Sequence, residues 1–149
     1  MSLDMIYNEL IIEHSRNTEN RGPLAEKTHH EHGHNPNCGD DIELELNIEN
    51  GKIKEAAFVG SGCAISMAST SMMIDLIKGN TIQDAQEKVE AFLELIKNER
   101  AQEDVEILLG DATLLSNIQH MPARVKCAVL AWHTLKHVLD TKEAGGSGD

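Results

Sequence analysis

Between positions 41 and 48 polar and apolar side chains alternate without a slip, Asp41, Glu43, Glu45 and Asn47 against Ile42, Leu44, Leu46 and Ile48. Successive side chains of an extended chain point to opposite faces, so a period of two predicts a β-strand with one face in a core and the other in water. Asn50-Gly51 follows, a pair that tolerates positive φ at both positions and favours a two-residue hairpin turn. Positions 52–59 are then expected to form a second, antiparallel strand, with Lys52 and Lys54 across from Glu43 and Glu45. Elsewhere the period is helical. Leu3, Ile6 and Leu10 mark a first helix, and Ile65, Ala68, Met72 and Leu76 a second that Gly79 stops. Ile82, Ala85, Val89, Phe92 and Ile96 mark a third, opened by Thr81 with Asp84 three positions on. Ala128, Trp132, Leu135 and Leu139 mark the last, with Pro122 in its first turn.

A chain of 149 residues supports one core and is short for two ordinary domains. Residues 1–144 are expected to form a single domain, and the glycine-rich end 145–149 a disordered tail. Thirteen Lys and Arg against 25 Asp and Glu give a net charge of -12, which repels nucleic acid, and 3% aromatics leave few platforms for stacking on bases. The apolar stretches 6–12 and 129–132 are far short of the roughly 20 residues of a membrane span. The first residues lack a basic leader followed by an apolar core. A cytoplasmic protein without membrane or nucleic-acid partners is expected. In a reducing cytosol three widely spaced cysteines are more often buried, reactive or metal-bound than disulfide-paired.

Each cysteine has a setting that suits chemistry and also an ordinary structural explanation. Asn35-Pro36-Asn37-Cys38-Gly39-Asp40-Asp41 is a turn delivering a thiol and a carboxylate two positions apart, with Gly39 free to bend the backbone. Gly60-Ser61-Gly62-Cys63-Ala64-Ile65-Ser66 puts a thiol at a helix start, where backbone N–H groups favour thiolate, although small residues there also permit close packing. Cys127 lies beside the apolar stripe of the last helix, flanked by Arg124 and Lys126, cations that favour thiolate or simply form a solvated face.

Together, Asn-Pro-x-Cys-Gly-Asp, Gly-x-Gly-Cys-Ala-Ile-Ser and Pro-Ala-Arg-x-Lys-Cys-Ala resemble the SufU branch of the IscU/NifU N-terminal family of iron-sulfur cluster assembly proteins. The likeness runs from the first helix to the last and includes Ser69, Met72 and Met73. It implies an α+β fold, a small antiparallel sheet of about three strands packed with several α-helices, in which positions 28–33 form the third, edge strand. It also implies that Cys38, Asp40, Cys63 and Cys127 converge on one metal. Such a Cys3Asp set suits tetrahedral Zn2+, with Arg124 and Lys126 placed to offset the excess negative charge from just outside the ligands.

The resemblance further implies a zinc-dependent sulfur acceptor, a sulfurtransferase or persulfide carrier. Cys38 would take persulfide sulfur from a SufS-type pyridoxal-phosphate cysteine desulfurase, once a group from that partner displaces it from the metal, and sulfur would pass to downstream cluster-assembly proteins. Scaffold members of the family carry His immediately before the third cysteine, and Lys126 stands there instead. An iron-sulfur cluster scaffold and a purely structural zinc module are the alternatives. The run His29, His30, His32 and His34 invites a metal-binding reading, but is expected instead to face solvent on the edge strand. His133 and His137, four apart, lack the glutamate of a metalloprotease motif.

Overall fold

The computed structural model describes residues 3–36, 39–119 and 121–144. In chain order these form α1 (Leu3–Arg16), β1 (His29–Asn35), β2 (Asp40–Glu49), β3 (Lys52–Ser61), α2 (Ala64–Ile77), α3 (Ile82–Ile96), α4 (Gln102–Leu109), a 3-10 stretch (Gly110–Ile118) and α5 (Pro122–Ala144). The strands make one antiparallel sheet in the order β1-β2-β3, and the helices share its core, the α+β single domain that was expected. Tail residues 145–149 lie outside the described residues. Among the described residues, no helix is long and apolar enough to cross a membrane.

The hairpin turns where the sequence places it, with Asn50 at φ 54° and Gly51 at φ 76°. A two-residue turn fixes register outward from itself, so Glu49 pairs with Lys52. The expected pairing of Lys52 and Lys54 with Glu43 and Glu45 is therefore wrong. Glu43 faces Val59, Glu45 faces Ala57, and Lys54 reaches Glu49 at 3.5 Å.

On the inner face Ile42, Leu44 and Leu46 are fully buried, with Phe58 opposite Leu44. Each such side chain contributes about 1.5–3 kcal/mol on leaving water. Helices α2 and α5 pack against this sheet, and α2 is enclosed on nearly every side, Ile65–Ile74 being buried throughout. At Gly33 of β1 an added Cβ would collide with Thr134 Oγ1 of α5, which is why this strand position carries no side chain. Trp132 of α5 stacks on Phe92 of α3 at 4.2 Å and donates its Nε1–H to Ser69 Oγ of α2 at 2.9 Å. The Ser69 hydroxyl in turn donates to the Ala128 carbonyl at 2.6 Å. This chain of bonds joins α2 to α5 one residue from Cys127.

The outer face departs from a simple polar surface. Asp41 is exposed, but Glu45 and Asn47 are buried because the strap 17–28 crosses over them. Glu45 accepts from the Leu24 N–H (2.8 Å) and from Lys27 Nζ (2.9 Å). The Leu24 hydrogen bond first, then Lys27, holds its carboxyl below the ordinary carboxylate range. The side chains of Leu3 and Ile6 lie outside the described ones; Leu10 is half-buried, and Ile11 supplies the buried contact of α1. Neither α4 nor the 3-10 stretch was expected.

Candidate metal centre

Three elements deliver three potential ligands to one place. Asp40 opens β2 and is fully buried. Its Oδ1 accepts the Cys63 N–H at 3.0 Å, and its Oδ2 is buried with no hydrogen-bond partner among the described residues. A buried carboxylate oxygen without a donor is costly unless a cation takes it. Gly62 makes the approach possible, since a Cβ there would sit 2.5 Å from Asp40 Oδ1. Gly60, at φ +139°, lets the backbone pass Asp41 and Ile42 of β2 at a separation that no side chain allows.

Cys63 is the N-cap of α2, its Sγ accepting from the Ser66 N–H at 3.4 Å. The first-turn N–H that the sequence placed beside this thiol is there. Cys127 points inward from the second turn of α5, 2% exposed. Cys63 is a half-buried free thiol. One ligand atom from each of Asp40, Cys63 and Cys127 lies within 4.8 Å of the others. Two thiolates on tetrahedral zinc stand about 3.8 Å apart for bonds of about 2.3 Å. The donor set and its orphaned oxygen fit a divalent cation.

Cys38 lies outside the described residues. On either side of it, Gly39 takes φ +73° and donates its N–H to the Asn35 carbonyl at 2.8 Å, closing the turn that leads into Asp40. Arg124 and Lys126 are exposed in the first turns of α5 and form no ion pair among the described residues.

The NifU-like N-terminal domain model matches residues 6–128 of the chain. The chain belongs to that family. Within it, the chain is 41% identical to the iron-sulfur cluster assembly scaffold protein IscU of Thermotoga maritima, over 93% of this chain and 96% of the relative. It is 36% identical to the zinc-dependent sulfurtransferase SufU of Bacillus subtilis, over 98% and 97%. A crystal structure of a candidate SUF-system scaffold protein from Fervidobacterium islandicum superposes with a TM-score of 0.84 at 35% identity, covering 91% of this chain and 97% of that one. As a NifU-like domain the chain has the α+β fold that its sequence motifs suggested.

The histidines stand apart from the cluster. His30, His32 and His34 face solvent on the edge strand, as expected, while His29 is half-buried and bonds Thr28 Oγ1 through Nδ1 at 2.7 Å. His137 Nδ1 meets Glu31 at 3.2 Å. His133 has its pKa lowered, first by desolvation and then by Lys97 and Lys136. The sequence did not reveal Ser69 as the tie between the two cysteine-bearing helices, because a serine on an enclosed helix leaves no periodic signal. Nor did it reveal why Gly62 is glycine, since the carboxylate it accommodates is far away along the chain.

Proposed function

We propose that this chain is a zinc-dependent sulfur acceptor of iron-sulfur cluster assembly, with Cys38, Asp40, Cys63 and Cys127 as the zinc ligands. The observation that carries this reading is the convergence of Asp40, Cys63 and Cys127 with one buried carboxylate oxygen that has no hydrogen-bond partner among the described residues. Bound zinc would keep the thiols deprotonated at neutral pH and hold the elements together. The residues do the rest. Cys38, beside the Gly39 bend, is the sulfur acceptor, and its thiolate attacks the outer sulfur of a persulfide on a SufS-type pyridoxal-phosphate cysteine desulfurase. A new sulfur–sulfur bond forms at Cys38 Sγ, the partner's sulfur–sulfur bond breaks, and the partner cysteine leaves as thiolate. The persulfide then passes to downstream cluster-assembly proteins.

Asp40 fixes the Cys63 end of the site through its hydrogen bond to the Cys63 N–H. Arg124 and Lys126, one turn of helix or less from Cys127, moderate the excess negative charge of three thiolates and a carboxylate on a divalent ion. A reducing, cytoplasmic setting suits a protein that works through thiolate chemistry. The 41% likeness to a protein named as a cluster scaffold favours a second reading, in which the same ligands hold an iron-sulfur cluster. Lys126 weighs against it, because a charged amine next to Cys127 is a poor ligand for iron.

Desulfurase turnover, measured with wild type and with Cys38→Ser and accompanied by zinc analysis of both, separates the readings. Sulfur acceptance requires strong stimulation by the wild type and its loss in Cys38→Ser. Undiminished stimulation by the variant leaves a structural zinc module. A coloured, oxygen-sensitive cluster that moves to an apo-acceptor favours the scaffold.

A further inference from the structure

The histidine run of β1 takes no part in the thiol cluster, yet two of its imidazoles are gathered on one carboxylate. Alternation along β1 turns His30, His32 and His34 to the solvent side of the sheet. Asp41 of β2 lies on the same side, directly opposite His34. Its Oδ1 is 2.6 Å from His32 Nε2, and its Oδ2 is 3.5 Å from His34 Nδ1. The two imidazole rings lie nearly parallel, 12° apart in plane with centroids 6.3 Å apart. His30 is engaged separately, with Nδ1 2.7 Å from Glu43.

Two imidazoles spaced two residues apart on a strand, each near one oxygen of a cross-strand carboxylate, place three nitrogen and oxygen donors on one face of the sheet. Such donors suit zinc, nickel and copper ions, and a chain of net charge -12 concentrates cations at its surface. We infer that His32, His34 and Asp41 form a second, exposed binding site for a divalent transition-metal ion, independent of the thiol cluster. The ion replaces the hydrogen bond between Asp41 and His32 and the longer contact between Asp41 and His34. Among the described residues only the thiol cluster has its ligand atoms within 4.8 Å of one another, so the histidine site closes as the ion binds. Both imidazoles are half exposed, and their rotation disturbs no core contact. Alternation along β2 keeps the sites apart: Asp40 points into the protein and Asp41, the next residue, out of it.

The test uses the full-length, zinc-loaded protein titrated with Ni2+ and followed by histidine-ring NMR, with calorimetry and zinc analysis alongside. Sub-stoichiometric Ni2+ is expected to broaden the His32 and His34 signals first. The His32→Gln/His34→Gln double variant is expected to bind Ni2+ at least about tenfold more weakly, the loss that even an outer partner of a metal ligand causes. Its thiol-bound zinc is expected to stay at the wild-type level. The site is refuted by broadening centred on the α5 pair His133 and His137, by the same Ni2+ isotherm in wild type and variant, or by no Ni2+ binding at all. Loss of the tightly bound zinc in the double variant equally overturns the independence of the two sites.

Discussion

Asp40 and Asp41 are neighbours in β2 with the same side chain, and they live in opposite worlds. Asp40 is fully buried, with one oxygen on the Cys63 N–H and the other unpartnered among the described residues; Asp41 is about half exposed, with both oxygens turned to imidazoles. Strand alternation alone produces this split. It teaches that an acidic residue's chemistry is set by the face it occupies. The inner face brings in thiols from two helix N-terminal regions, whereas the outer face at Asp41 brings in imidazoles of the edge strand.

The difference is most exposed to disruption at Gly62. Gly62→Ala puts a methyl group 2.5 Å from Asp40 Oδ1, so the carboxylate must leave its place. Zinc affinity, read by competition with a chromophoric chelator, is expected to fall by about 10- to 100-fold. An equivalent change on the outer face, Asp41→Asn, is expected to leave that affinity where it was.

Ser69→Ala is expected to have the next largest effect, on stability and on the site together. It strips the buried Trp132 Nε1–H of its acceptor and the Ala128 carbonyl of its hydroxyl donor beside the helical one, a loss of about 1–3 kcal/mol in urea unfolding. Because Ala128 adjoins Cys127, a shift in Trp132 fluorescence is expected to accompany weaker zinc retention. A drop in stability with unchanged zinc retention restricts Ser69 to packing.

The smallest effect is expected at Glu45→Gln, on the outer face beneath the strap. Losing the charge-assisted bonds from Leu24 and Lys27 is expected to cost about 1–2 kcal/mol at neutral pH. The folded-state pKa of Glu45 is depressed, so its contribution is fully present above the unfolded-state pKa and lost as pH falls through the folded-state value. Wild type and variant should therefore converge in acid, and a constant gap at every pH excludes the charge as the cause.

Features set by local patterning were legible in the chain. Period two gave β2, the Asn-Gly pair gave the turn, and helical stripes with Thr81 and Pro122 gave three helices close to their observed starts. The cysteines could be placed at a turn, a helix start and a buried stripe, but the claim that they meet came from a family resemblance. What escaped reading depends on distant parts of the chain. Glu45 looks solvent-facing until the strap reaches it, and Gly62 looks like any turn glycine until Asp40 arrives. The 3-10 stretch has a period near three that helical patterning does not detect, and α4 is short and carries a fully exposed Ile107 on the helix that buries Val105 and Leu109.

X-ray absorption at the zinc edge of the purified, full-length protein examines the shared site most directly. One tightly held zinc with three sulfurs at about 2.3 Å and one oxygen at about 2.0–2.2 Å is expected. A first shell of nitrogen and oxygen alone, or a protein that retains no zinc, contradicts the convergence of Cys38, Asp40, Cys63 and Cys127 on one ion.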